Sequence, residues 1–206
     1  MDFDSDLVAE LKRAHGAHTI IVYGSLARGD ATPESDIDVA AFADVTETSR
    51  DARLWNGRYL DGNVYPTAVM ASSEVDLLKL VGGHILLDER QLAGPFLARL
   101  DALERAGPAP LPETELRMRR VWAHKMLARI ERGDVEAHYR HHWLLFQLLE
   151  DYYALRGTWY RGPKLAFQEL RRDAPATFAA FEHALAPGAP LSALAALVER
   201  VERVGP

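Results

Sequence analysis

The chain has 206 residues, 48% of them hydrophobic and 26% charged, which suits one large or two small globular domains that fold without covalent cross-links. It contains no cysteine, and this excludes disulfides, thiolate metal sites and cysteine nucleophiles. The net charge of −6 disfavours general nucleic-acid binding but not a nucleotide substrate, because a bound divalent cation reverses the local charge.

The sequence shows no pattern typical of an export signal or a membrane span. Its first ten residues are acidic and lack the basic flank and apolar core of a signal peptide. The longest apolar run, near residues 143–149, is interrupted by polar residues and is far short of membrane length. We therefore predict a cytoplasmic protein without a membrane partner.

The N-terminal part is predicted to begin with a helix and two strands. Apolar spacing predicts a helix over residues 6–15, which Gly16 closes. Residues 18–23 are β-branched and apolar on both faces, which predicts a buried strand. Residues 36–40 alternate acidic and apolar side chains, so they predict a second strand with two different faces.

A hairpin and a helix are predicted next. Residues 58–70 are predicted to form the hairpin, with arms at residues 59–60 and 64–69. The tight turn of this hairpin is placed at Asp61 and Gly62, a dipeptide that favours the positive φ of such turns. Ser73 and Asp76 are three residues apart and predict a capping box for the helix that follows. No further strand signal occurs after this point.

The remainder of the chain is predicted to be helical. The proline-rich segment 107–112 is the best candidate linker, so we place a domain boundary after residue 106. Amphipathic segments predict helices over residues 96–105, 113–132, 134–156, 163–172, 175–185 and 191–204. The predicted fold class is therefore α+β, with a mixed-sheet domain over residues 1–106 and an all-helical C-terminal bundle over residues 107–206.

A glycine and a serine directly follow the first predicted strand. Gly24 lets the backbone turn sharply and approach a ligand, and the Ser25 hydroxyl and the amides of the next turn then face that ligand. Free amides in such a turn favour phosphate oxygens. Arg28, one helical turn on, can reach a phosphate or orient the next loop. A Gly-Ser pair alone, however, is usually an ordinary turn.

Two aspartates occupy one face of the second predicted strand. Asp36 and Asp38 are two residues apart, so both carboxylates project to the same side. Charges this close repel each other unless a cation lies between them, and carboxylates together with substrate phosphates suit Mg²⁺. If the two strands are neighbours, Gly24 and Ser25 face that metal across a triphosphate. This arrangement would stabilise charge on a leaving pyrophosphate.

The stretch GSLARGDATPESDIDVA, residues 24–40, resembles the signature of the DNA polymerase β-like nucleotidyltransferase superfamily. The similarity is greatest to its small bacterial branches, the minimal and the aminoglycoside or lincosamide nucleotidyltransferases. This resemblance implies a mixed sheet flanked by helices and joined to a helical bundle. It also implies that Gly24 and Ser25 hold a nucleoside triphosphate such as ATP, and that Asp36 and Asp38 bind the metals.

The resemblance leaves a third carboxylate unassigned. Active members commonly supply one from a later strand, and by register Thr67 is our best candidate for that position. A threonine hydroxyl is a poor general base at neutral pH. Either an acid from elsewhere completes the site, or catalysis is weak or lost. The acids considered are Asp61, Glu74, Glu150 and Asp151.

The helical half offers further candidates. Glu150 or Asp151 would serve as acceptor contact or base, although a helix of a bundle carries such acids on its solvated face just as readily. Aromatic residues beside Arg161 and Lys164 suit either a triphosphate contact or a simple turn between helices. We select Glu150 as a candidate catalytic residue and Lys164 as a candidate nucleotide-binding residue.

These patterns predict a Mg²⁺-dependent nucleotidyltransferase. It would move a nucleoside monophosphate from a nucleoside triphosphate to a hydroxyl-bearing acceptor, either a small molecule such as an antibiotic or a protein. The alternatives are a catalytically weak or inactive nucleotide-binding module and an antitoxin-like partner protein. The base, the acceptor and the oligomeric state, a homodimer included, are left open.

Overall fold

A computed structural model describes residues 3–203 of the chain. The chain divides into two compact units, Met1–Ala106 and Gly107–Pro206. In the part of the chain that the structure describes, no helix is long and apolar enough to cross a membrane.

The first unit is a mixed sheet with helices. Its elements are α1 (Phe3–His15), β1 (Thr19–Val22), α2 (Gly24–Arg28), β2 (Ile37–Ala43), β3 (Ser49–Trp55), β4 (Arg58–Pro66), two 3-10 helices (Thr67–Ala71 and Val75–Leu80), β5 (His84–Asp88) and α3 (Ala93–Ala106). The five strands lie in the order β3-β4-β2-β1-β5. Of the four pairs of neighbouring strands in this sheet, β2 and β4 are parallel and the other three pairs are antiparallel. The strand that carries Asp38 is therefore central and has β1 on one side and β4 on the other.

Each face of this sheet has its own apolar core. On one face, Leu7 and Leu11 of α1 pack with Val39 of β2. On the other, Phe42 of β2 packs with Phe96 of α3, their ring centroids 5.4 Å apart. Because side chains alternate along a strand, Asp38 projects to the same face as Phe42. The 3-10 helix Val75–Leu80 also packs on that face.

The hairpin prediction was wrong about its turn and its two arms, because residues 58–66 form a single strand, β4, and residues 67–71 form a 3-10 helix. The hairpin joins β3 to β4, and its turn is Asn56-Gly57, both with positive φ. Asp61 and Gly62 lie inside β4, paired with β2 on one side and β3 on the other. A β-carbon on Gly62 would lie 3.1 Å from the Asp51 carbonyl oxygen, so glycine here permits close packing of strands and does not form a turn.

Two further predictions near the end of this unit were wrong. The helix after Ser73 is a short 3-10 helix that begins after Glu74, and no side chain caps it, so Ser73 and Asp76 form no capping box. A fifth strand, His84–Asp88, follows it. This edge strand is exposed or half-buried and pairs with β1 alone, and its apolar run, Ile85 to Leu87, is too short to predict a strand by itself.

The second unit is all-helical, as predicted. Its helices are α4 (Glu113–Ile130), α5 (Val135–Ala154), α6 (Pro163–Asp173), α7 (Pro175–Leu185) and α8 (Leu191–Glu202). Asp134 caps α5 by accepting a hydrogen bond from the amide of Ala137 at 2.8 Å. Buried residues from α4, α5 and α8, among them Met126, Leu144 and Leu197, form one core. The predicted α+β fold class with a helical C-terminal region is confirmed.

Candidate active site

Gly24 and Asp38 are in close approach where β1 ends. The amide of Tyr23 donates to the carbonyl oxygen of Asp38 at 3.0 Å, which holds the end of β1 against β2. Gly24 has φ +67°, and a β-carbon at this position would lie 2.8 Å from the carboxyl carbon of Asp38. Only glycine therefore allows this turn to lie against the Asp38 carboxylate. The predicted juxtaposition of the Gly-Ser turn and the aspartate strand is present.

Asp61 is the acid nearest to Asp38 along the sheet. In the parallel ladder Asp38 is paired with Asp61, so both side chains leave the same face of neighbouring strands. Burial, reinforced by the charges of Asp61 and Asp36, raises the pKa of Asp38 above its ordinary value. The charges of Arg28 and Lys79 act in the opposite direction. Asp38 thus lies close to two acids and two cations, and its burial is the main cause of the raised pKa.

Asp36 stands just before β2 and is exposed. The residue before it is held in place by Arg58 of β4, which donates two hydrogen bonds to the Ser35 carbonyl oxygen at 3.1 and 2.6 Å. Arg28 at the end of α2 forms an ion pair with Asp30 at 3.3 Å, and Ser25 is buried. The loop between α2 and β2 is therefore anchored at both ends.

Asp61 has a cationic partner on the neighbouring strand. Its carboxylate accepts a hydrogen bond from Arg50 of β3 and forms an ion pair with it. Within residues 3–203, no group of three His, Cys, Asp or Glu side chains is arranged to hold a metal ion. Asp61 is thus close in register to Asp38, but its charge is already matched by Arg50.

Polar and aromatic side chains continue the same face of the sheet. The ammonium of Lys79 lies over two rings, 5.7 Å from the centroid of Tyr23 and 5.8 Å from that of Tyr65. Asn63 of β4 donates to the Tyr23 hydroxyl at 3.3 Å. Burial, with a contribution from Asp38, raises the pKa of Tyr23 above its ordinary value. Tyr23 therefore stays neutral and offers a hydroxyl beside the carboxylates.

Thr67 does not occupy the position of a third acid. It begins the 3-10 helix after β4, beyond the end of β2 opposite to Asp38. Its hydroxyl is engaged with the ring of His18 at 2.8 Å and donates toward Asp44 at 3.0 Å. The register used to select Thr67 rested on the misplaced hairpin turn. Once β4 is placed correctly, the acid on that strand is Asp61.

The two candidates from the helical half belong to the second unit. Glu150 is exposed on α5, where the amide of Gln147 donates to it at 3.4 Å, and Lys164 is exposed near the start of α6. Asp151, the other acid considered there, is buried and paired with Arg119 at 2.6 Å. The functional roles of Glu150 and Lys164 stay predictions.

The mixed five-stranded sheet, with a Gly-Ser turn against Asp38, is consistent with a nucleotidyltransferase fold. The family model of the nucleotidyltransferase domain matches residues 5–92, so this part of the chain is a nucleotidyltransferase domain, as its resemblance implied. The chain is also similar to the crystal structure of a nucleotidyltransferase-like protein from Exiguobacterium sibiricum 255-15, with 15% identity and a TM-score of 0.43. That similarity covers 96% of this chain and 72% of the other. A comparison with curated proteins gives no match.

Proposed function

We propose that the chain is a Mg²⁺-dependent nucleotidyltransferase that moves a nucleoside monophosphate from a nucleoside triphosphate to a hydroxyl-bearing acceptor. In this proposal residues 1–106 are the transferase domain and residues 107–206 a helical accessory domain. The observation that supports it most is the contact of Gly24 with the Asp38 carboxylate, together with the pairing of Asp38 and Asp61 across β2 and β4. These contacts bring a turn suited to phosphate and a set of acids to one face of the sheet.

The donor set fits a divalent cation. Asp38 is half-buried, and its pKa is raised first by burial and then by the charges of Asp61 and Asp36, so a bound cation would stabilise its carboxylate. Asp36 and Asp38 would hold Mg²⁺ together with phosphate oxygens of the substrate, an arrangement that this ion favours over a cage built of protein alone. When bound, the metal would neutralise charge on the triphosphate and on the leaving pyrophosphate.

The turn and its neighbours would position the nucleotide. Gly24 and Ser25 would bind the triphosphate, because the glycine backbone can approach it without a β-carbon and the buried Ser25 follows directly at the start of α2. Arg28 lies near enough to influence Asp38 and would face a phosphate from the far end of α2. Lys79, held over Tyr23 and Tyr65, would supply a second cation on the same face.

Asp61 is the acid that we assign to proton transfer. The acceptor hydroxyl oxygen forms a bond to the α-phosphorus while the bond from that phosphorus to the bridging oxygen of the pyrophosphate breaks. The hydroxyl proton would pass to the Asp61 carboxylate, and the electron pair of the broken bond leaves with the pyrophosphate. To accept this proton, Asp61 would have to break its ion pair with Arg50. Glu150 stays an alternative base.

Binding and turnover of Mg²⁺ nucleotides test this proposal. Calorimetry with each of the four ribonucleoside triphosphates should show binding that depends on Mg²⁺ and is weakened at least tenfold in Asp36→Asn and Asp38→Asn. Asp44→Asn, which replaces an exposed acid at the other end of β2, is the matched control and should bind normally. Pyrophosphate release in a panel of hydroxyl-bearing small molecules and proteins then reports transfer. Absence of nucleotide binding would contradict the proposal, and binding without release from any acceptor would favour the inactive module.

A further inference from the structure

The helical unit has a cavity of its own between α4 and α5. Its volume is about 280 Å³, close to the lower end of ordinary small-molecule sites. Its apolar lining is Met118, Trp122 and Trp143, and its polar lining is Glu115, Arg119, Gln147 and Asp151. The proposed transferase uses none of these residues.

Acidic groups dominate the polar side of this cavity. Asp151, which is 2% exposed, accepts hydrogen bonds from Arg119 at 2.6 Å and from the Gln147 amide at 3.0 Å. The Arg119 Nε donates to Glu115 at 3.0 Å. One guanidinium is therefore shared between two carboxylates, which leaves a net charge of about −1 at the cavity. Burial opposes the charge on Arg119, but its two acidic partners prevail and raise its pKa.

The apolar side consists of aromatic rings that the helical core leaves accessible. Trp122 and Trp143 meet edge to face, with ring centroids 5.4 Å apart and an interplanar angle of 66°. Trp143 is 46% exposed and Met118 63% exposed, so neither is fully used in packing the bundle. Exposed large apolar side chains around a concave surface are typical of a binding site. Ring faces have negative electrostatic potential and attract cations.

We propose that this cavity binds an organic cation, an amine or quaternary ammonium group on a compact apolar body. The net negative charge and the indole rings both favour a positive ligand. Arg119 already donates hydrogen bonds to Glu115 and Asp151, and Gln147 donates to Asp151. The Glu115 carboxylate, 38% exposed, remains accessible to the positive charge of a ligand. An anion would meet two carboxylates and is disfavoured.

Three probes of nearly equal shape separate charge from size. Choline, 3,3-dimethylbutanol and 3,3-dimethylbutanoate carry charges of about +1, 0 and −1 at neutral pH, on similar branched bodies. Titration of the full chain, followed by tryptophan fluorescence and by broadening of the methyl proton resonances of the probe, should show saturable binding of choline. We expect choline to bind about five- to thirtyfold more tightly than the alcohol, and the carboxylate to bind most weakly.

Variants on the two helices assign the binding to this cavity. Trp143→Leu and Glu115→Gln should each weaken choline binding about fivefold or more. Phe146→Leu is the matched control, because Phe146 is an aromatic residue of α5 that is 75% exposed and does not line the cavity. It should bind choline as the unmodified chain does. Asp38→Asn should do so too, which separates failure of this proposal from failure of the transferase.

Several results would overturn the inference. Equal binding of choline and the alcohol would show that charge plays no part. Tighter binding of the carboxylate would make Arg119 the recognition group. Retention of choline binding by Trp143→Leu would place the site elsewhere, and lack of saturation with all three probes would remove it.

Discussion

Asp38 of β2 and Asp61 of β4 face each other across two parallel strands and project from the same face of the sheet. The charge of Asp61 is among the causes of the raised pKa of Asp38, so the two carboxylates influence each other electrostatically. In the proposed function, this pairing makes Asp61 the acid that completes the set begun by Asp36 and Asp38. It also separates two functions, since Asp38 contacts the Gly-Ser turn whereas Asp61 contacts Arg50.

Asp61→Asn should therefore lower turnover far more than nucleotide binding. Loss of a general base typically reduces kcat by about 10²- to 10⁴-fold, and removal of an acid that contacts no phosphate should change the nucleotide Kd less than about threefold. Single-turnover transfer and calorimetry measure the two quantities separately. A variant that keeps normal kcat would assign the base to another residue, and Glu150→Gln is then the next variant to measure.

Gly24→Ala should damage the site through one specific collision. Alanine at this position is strained by φ +67° and its β-carbon would meet the Asp38 carboxylate. We expect a loss of about 1 to 3 kcal/mol in the free energy of unfolding and loss of Mg²⁺-nucleotide binding. Gly82→Ala is the matched control, since it has φ +73° but no atom within 4 Å of the added carbon. It should lose stability through its backbone alone and still bind nucleotide. Equal nucleotide binding by the two variants would contradict the role given to the Gly24–Asp38 contact.

The sequence was sufficient to predict the elements with strong local signals. β1 and the five C-terminal helices have apolar periodicity or capping residues that act locally, and the structure contains all of them. The Gly24 turn and the two aspartates could be expected to lie together for a physical reason. Closely spaced carboxylates repel each other unless they share a cation, and a glycine turn permits the close approach of the phosphates that such a cation binds.

The parallel pairing of β2 with β4 could not be predicted, because it joins residues about twenty apart with no local signal. β3 was missed because it is rich in charge, which suits an edge strand but does not predict one. A different signal was available for β4, where Asp61, Asn63 and Tyr65 alternate with apolar or small residues in a two-residue period. The Asp61-Gly62 dipeptide is also typical of a tight turn, and this signal was given more weight than the alternation.

Lys79→Met should weaken interaction with the triphosphate. The ammonium of Lys79 is held by the rings of Tyr23 and Tyr65, and its charge acts on Asp38. Loss of such a preorganised cation should lower kcat/KM for the nucleotide by about 10- to 100-fold, whereas Lys79→Arg should recover part of it. Lys12→Met, which removes an exposed lysine paired with Glu89, serves as the control. If Lys79→Met and Lys12→Met have equal kcat/KM, Lys79 has no role in the reaction.

His18 should make the stability of the first unit depend on pH. It is 4% exposed and its ring contacts the hydroxyls of Thr19 at 2.9 Å and Thr67 at 2.8 Å. Burial, with the charge of Arg90, lowers the pKa of His18 below 6.5, and the nearby acids Asp44, Glu89 and Asp88 only partly oppose this. The unfolded chain therefore binds a proton more readily than the folded one. It follows that stability is complete above pH 6.5 and is lost as pH falls toward the folded pKa.

One proton of this kind gives a slope of at most about 1.4 kcal/mol per pH unit in the free energy of unfolding. Urea denaturation between about pH 7.5 and 5.5, roughly one unit either side of the ordinary histidine pKa, should show that slope in the first unit. His18→Gln should flatten it, whereas replacement of the exposed His84 on β5 by glutamine should leave it in place. A proton resonance titration of the His18 ring gives an independent value. A pKa at or above 6.5 in the folded chain would mean that folding does not disfavour the charged ring, and the stability slope would then have to come from another group.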